Sequence, residues 1–179
     1  MGDRLSSYRA VYWLMFLGLA VLVIFVQLLP ISLVTGGWAG PDVLLAITMA
    51  WGLRRPDYLP PLLAGAVMLM ADLILQRPPG LWAALVVLAL ELLRARNQIW
   101  RDLPFLLEWG VISVVMAAVV LLYWLVLAVF FVVQPAIGLY LIQLISTILV
   151  YPPVVLISAT VLGVRKVAPG QVDALGHRL

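Results

Sequence analysis

Cysteine is absent from the chain, histidine occurs once, at His177, and only 11% of the 179 residues are charged. The first absence excludes disulfides, thiolate metal sites and a cysteine nucleophile. The second excludes a metal site built from several imidazoles and a histidine-centred catalytic triad. The scarcity of charge says most about the solvent. Hydrophobic residues make up 65% of the chain and its mean hydropathy is +1.16, well beyond the roughly 45–50% apolar content of an ordinary soluble domain. A chain of this length has too little interior to hide so many apolar side chains from water, whereas a bilayer covers them directly. The reading is one integral membrane domain over residues 1–179. The isoelectric point near 9.6 does not point to nucleic acid, because the basic residues come in short clusters between apolar runs and form no continuous stripe.

Six apolar runs are separated by polar or glycine- and proline-rich breaks. The first extends from Ala10 to about Leu29 behind the polar stretch Met1 to Arg9. It is longer than the ~7–15-residue core of a signal peptide and ends in Gln27-Leu28-Leu29-Pro30, so an uncleaved helix is expected. Pro30 to Gly40 reads as a loop; its glycines lack the following Lys-Ser/Thr of a phosphate cradle. The second run, Asp42 to Leu53, starts at Pro41-Asp42, which suit a helix N-terminus. It is too short to cross ~30 Å of hydrocarbon at ~1.5 Å per residue. After Arg54-Arg55-Pro56-Asp57, further spans are predicted at about Tyr58–Gln76, Leu81–Leu93, Leu103–Val133 and Ala136–Val164, with Pro152-Pro153 interrupting the last.

Basic residues orient the bundle, because short cytoplasmic loops retain them. Arg4, Arg9, Arg54, Arg55, Arg94, Arg96, Arg101, Arg165, Lys166 and Arg178 fall in alternate segments, and the intervening loops carry only Arg77. This alternation gives six transmembrane helices with both termini cytoplasmic. Trp13, Trp38, Trp82, Trp100 and Trp109 lie near predicted span ends, the place of interfacial anchors.

Ionisable groups within spans are the first candidates for function. Asp72 sits near the outer end of the third span, with Arg77 just beyond; pairing with Arg77 or capping a neighbouring helix is expected equally with a ligand or proton role. Glu91 and Glu108 flank the arginine-rich segment 94–101 and are expected to pair with it at the interface. No two carboxylates are predicted to share a cavity, so no acid–base pair is available and an enzyme is not expected. No cofactor is implied. Tyr140, Gln143, Thr147, Tyr151 and Ser158 recur at helical spacing on one face of the last span, which should turn towards protein.

Taken together, Pro41-Asp42-Val43-Leu44-Leu45, the Arg54-Arg55-Pro56 break, Gly65, Asp72-Leu73, Pro79-Gly80-Leu81 and the late Tyr151-Pro152 resemble the rod-shape-determining membrane protein family MreD. The resemblance extends over the whole chain in length and number of spans, and is most specific from Gly65 to Leu81. The spacer after Asp72 departs from it, carrying Gln76-Arg77 where the family has a glycine. The resemblance implies a six-helix fold similar to the substrate-binding subunits of energy-coupling-factor transporters, located in the bacterial inner membrane. It also implies a non-enzymatic scaffold of the elongation complex that binds MreC directly. Through the complex it would reach MreB, the glycosyltransferase RodA and a class B penicillin-binding protein. Structural or partner-binding roles are then expected at Asp42, Arg54, Arg55, Asp72, Pro79, Gly80, Gln143, Tyr151 and Pro152, with Arg54 and Arg55 also engaging anionic lipid. The alternative is a solute-binding subunit of a transporter, whose signature would be an outward-facing cavity with convergent polar groups. Accessibility labelling of the Arg54–Asp57 segment should succeed only from the cytoplasmic side; labelling from outside would overturn the orientation.

Overall fold

The computed structural model describes residues 2–29, 40–96, 103–132 and 134–164, and among these every regular element is helical. The order is α1 (Gly2–Leu28), α2 (Val43–Arg54), a 3-10 turn (Pro56–Tyr58), α3 (Pro61–Ile74), α4 (Leu81–Ala95), α5 (Phe105–Val129) and α6 (Ile137–Thr160). The predicted loop at 30–39, the charged segment 97–102, the tail 165–179, Trp38 and Trp100 lie outside the described residues. Three helices have the length and apolarity to cross a membrane: α1 from Arg9, α5 and α6. The others, at ~1.5 Å per residue, reach only about 18–23 Å.

Two boundaries differ from expectation. Helix α1 continues through the polar N-terminal stretch, starting at Gly2. The third run is not continuous from Tyr58: a 3-10 turn is followed by a break at Leu59-Pro60 and a new helix at Pro61. A residue preceding proline is pushed out of the α region, whereas proline itself is favoured in the first helical turn, so Pro60-Pro61 ends one element and starts the next. Pro152 and Pro153 do not end α6, which runs through both to Thr160.

Helix α2 is the centre of the molecule. All ten residues from Leu44 to Leu53 are buried, so it has no face for lipid. It runs in the same direction as α6. The Asp42 amide donates to Thr147 Oγ1 (2.9 Å) at one end, and Trp51 Nε1 donates to Ser158 Oγ (3.2 Å) at the other. Because Thr147 lies ten residues into α6, α2 begins about 15 Å along its neighbour, well inside the bundle. Thr147, Tyr151 and Ser158 are buried in this seam, so the polar face predicted for the last span is met largely by protein of the same chain.

On its far side α2 approaches α4 where Gly52 faces Leu90. A Cβ at Gly52 would collide with the Leu90 side chain, itself fully buried. Helices α3 and α4 form an antiparallel hairpin, with Gly65 against Val87. Helix α1 lies outermost; Phe16 packs on Trp51 (5.7 Å between ring centroids) and Tyr12 stacks on Tyr58 (3.8 Å, 7°). Burial pushes the Tyr58 phenol above its ordinary pKa, with Arg55, 5.2 Å over its ring, acting in the opposite direction.

Overpacking a filled core typically costs about 1–3 kcal/mol. Gly52→Ala should therefore lower stability by that amount in detergent unfolding titrations, and Leu90→Val in the same chain should recover part of the loss.

Candidate functional site

The polar groups inside the bundle gather into two clusters at opposite ends of α2. At its C-terminal end Arg54 meets Glu108 from the first turn of α5 in a two-pronged ion pair, Nε–Oε1 2.8 Å and Nη2–Oε2 3.1 Å. Tyr151 of α6 donates its hydroxyl to the same Glu108 Oε1 at 3.0 Å. Three helices are thus joined through one carboxylate that is 1% exposed. Glu108 is therefore buried in the bundle, its ion-pair partner among the described residues is Arg54, and Arg54 points inward instead of towards lipid headgroups. Burial this deep requires the charge to be matched by a fixed opposite charge and further hydrogen bonds, which an interface filled with water would not demand. Glu91 does pair with Arg94 (2.9 Å), and Arg94 reaches on to the Leu59 carbonyl, pinning the turn before α3 to α4.

The second cluster lies at the opposite end. Asp42 is the N-cap of α2, its Oδ1 accepting the Leu45 amide at 2.9 Å, while Arg77 Nη1 lies 3.3 Å from its Oδ2. Asp72, fully buried, caps α4 from α3: its Oδ2 accepts the amides of Gly80 (3.1 Å) and Ala83 (3.2 Å). Of the pairing and capping arrangements expected for Asp72 as a structural residue it adopts the helix cap, and Arg77 pairs with Asp42. The cap explains the spacing of the block. Gly80 occupies left-handed backbone at φ 84°, a conformation costly for other residues, and Pro79 precedes it in the turn. The α4 helix then needs no capping side chain of its own.

The spacer glycine missing from the sequence also acquires a meaning. Helix α3 ends with Arg77 N–H bonded to the Asp72 carbonyl (2.9 Å) and Gln76 in left-handed backbone at φ 57°. This is the six-to-one closure in which glycine is the usual residue, and here glutamine fills the position.

Trp82 is not an interfacial anchor. It is 6% exposed, lies edge-on to Tyr123 (5.1 Å, 86°), and carries the Arg77 guanidinium 5.2 Å above its ring. Trp109 is partly buried and donates to the Ile148 carbonyl at 2.9 Å, whereas Trp13 is exposed. The chain matches no family model, no curated protein and no solved structure. Its chemistry has to be read from these two clusters.

Asp42 and Asp72 come together in the second cluster, which the expectation that no two carboxylates share a site did not foresee. Asp42, Asp72 and Glu108 are each engaged with helix amides or arginine, and among the described residues no group of three acidic or histidine side chains could hold a metal ion. Of the candidate residues, the structure gathers Arg54 with Tyr151 around Glu108 and brings Asp42 and Gln143 to the other end, around Arg77. Arg55 lies on Tyr58, and Pro152 is an internal residue of α6. The central partner missing from the sequence reading was Glu108 for Arg54, 54 positions away; no local spacing could signal it.

Removing one partner of a buried ion pair costs about 3–5 kcal/mol, because the other charge is left uncompensated. Glu108→Ala should lose that amount in unfolding titrations. The double variant Arg54→Met/Glu108→Met should be markedly more stable than Glu108→Ala alone.

Proposed function

We propose that the chain is a non-enzymatic membrane scaffold of the MreD type, a six-span subunit of the elongation complex in the bacterial inner membrane with both termini cytoplasmic. In this reading the short helices α2, α3 and α4 are embedded spans in a thinned or bundle-lined region. The observation that carries the proposal is the contrast between the interior and the outer surface. Buried charge among the described residues holds helices together, while an apolar groove opens between α4 and α5. It has a volume of about 760 Å³ and is lined by residues such as Leu88, Leu92, Gly110, Val114 and Ala118.

Gly110 makes the groove informative. A Cβ there would meet nothing within 4 Å, so no internal packing requires the glycine, yet a mid-helix glycine costs about 1 kcal/mol relative to alanine. Small residues on an open helix face allow close approach by another helix in lipid. Arg96 lines one end of the groove, the cytoplasmic end in this reading, where it can meet an acidic juxtamembrane residue. The occupant proposed is the single transmembrane helix of MreC, with MreB, RodA and the class B penicillin-binding protein reached through it. Arg55 and the other basic cytoplasmic residues face anionic lipid in this reading.

Gly110→Trp fills the groove without touching the bundle interior. It should leave the unfolding midpoint unchanged and abolish stoichiometric recovery of MreC from crosslinked native membranes. Undiminished recovery would reject this docking face, and no MreC with the unaltered chain would reject the scaffold reading.

A further inference from the structure

A second cavity, of about 240 Å³, opens at the end of the bundle opposite the Arg54–Glu108 pair. It is formed by Arg77 from the α3–α4 turn, Trp82 of α4, Tyr123 of α5, and Leu139, Tyr140 and Gln143 of α6. Its volume is about eight times a water molecule's ~30 Å³ share of the liquid, so it accommodates a headgroup-sized ligand.

The cavity is rich in donors. The Arg77 guanidinium carries five N–H groups, and among the described residues only Nη1 is hydrogen-bonded, to Asp42. The Tyr123 and Tyr140 hydroxyls and the Gln143 side-chain amide likewise have no hydrogen-bond partner among the described residues. Two carboxylates, Asp42 and Asp72, adjoin these donors without lining the cavity, so its selectivity rests on hydrogen-bond donors and not on net positive charge. Asp42 is shared between Arg77 and the N-terminal amides of α2, and Asp72 is turned onto the N-terminus of α4. The Trp82 ring fixes the guanidinium plane from one side, which leaves its remaining edge preorganised for an oxyanion.

We infer that this cavity binds a single phosphate group. The donors come from three separate elements, the α3–α4 turn, α5 and α6, an arrangement that suits a tetrahedral group with several acceptor oxygens better than a planar carboxylate. Leu139 and the aromatic rings accept the apolar or glycerol portion attached to it. The phosphate can belong to a phospholipid entering sideways from the leaflet or to a soluble phosphate ester entering from the aqueous side. The inference is independent of the MreC groove, which lies between α4 and α5.

The test uses the full chain in phosphatidylcholine nanodiscs containing phosphatidylglycerol, with lipid retention read by native mass spectrometry, and in detergent with sn-glycerol 3-phosphate, read by the shift in melting temperature. Arg77→Gln should weaken binding at least tenfold. Tyr140→Phe keeps the ring and removes only an unbonded hydroxyl; it should weaken binding about three- to tenfold, the loss of one hydrogen bond, with no change in the melting temperature of the ligand-free protein. Retention of phosphatidylglycerol without response to glycerol 3-phosphate assigns the site to lipid. Response to glycerol 3-phosphate with the same variant sensitivity assigns it to a soluble ester. If the unaltered chain binds neither probe, or binds them no better than Tyr140→Phe and Gln143→Leu do, the inference is overturned. These two variants decide the matter even if Arg77→Gln does not fold.

Discussion

The pairing of Arg54 with Glu108 is the interaction on which the arrangement of the bundle depends. In a medium with almost no water, a guanidinium and a carboxylate cannot be left to solvent, and each must find an opposite charge in a fixed position. Because the contact is two-pronged and Tyr151 adds a third hydrogen bond, it fixes orientation as well as distance. That sets the C-terminal end of α2 against α5 and α6 at one depth. Apolar packing alone, being non-directional, would leave the helices free to slide.

The same rule governs the other end of α2 with different groups. A helix that starts inside a bundle exposes amides that no headgroup or water reaches. Asp42 supplies one acceptor, Thr147 receives the Asp42 amide, and Arg77 balances the charge thereby introduced. Asp72 performs the equivalent task for α4. Among the described residues, the buried charge of Asp42, Arg54 and Asp72 therefore sits near the ends of short helices, where the backbone itself is least satisfied, and the longer helices α5 and α6 expose mainly apolar side chains to the surroundings.

Much of this was legible in the sequence because apolar runs and their breaks are local signals. The start of α2 at Asp42, the α3–α4 turn at Pro79-Gly80, and the extent of α5 could be read from proline, glycine and charge placement. The polar face of α6 was visible as a spacing, although the sequence does not say that α2 is what covers Thr147 and Ser158. Three things were hidden. Glu108 and Arg54 are linked only through the tertiary fold. Trp82 looked like an anchor because its position near a span end is shared by interfacial and buried tryptophans alike. The interruption at Pro60-Pro61 was overlooked because the flanking residues Leu59, Leu62 and Leu63 maintain the apolar run across it.

The separation of Arg54 from Glu108 also has a consequence for biogenesis. The chain is synthesised from its N-terminus, so Arg54 leaves the ribosome 54 residues ahead of the carboxylate that neutralises it. Until α5 follows, α2 is a short helix whose terminal arginine lacks the carboxylate that matches it in the folded bundle. It can take its enclosed central position only once α5 and α6 are available. The innermost helix of the bundle is therefore among the first to be made and among the last to be seated.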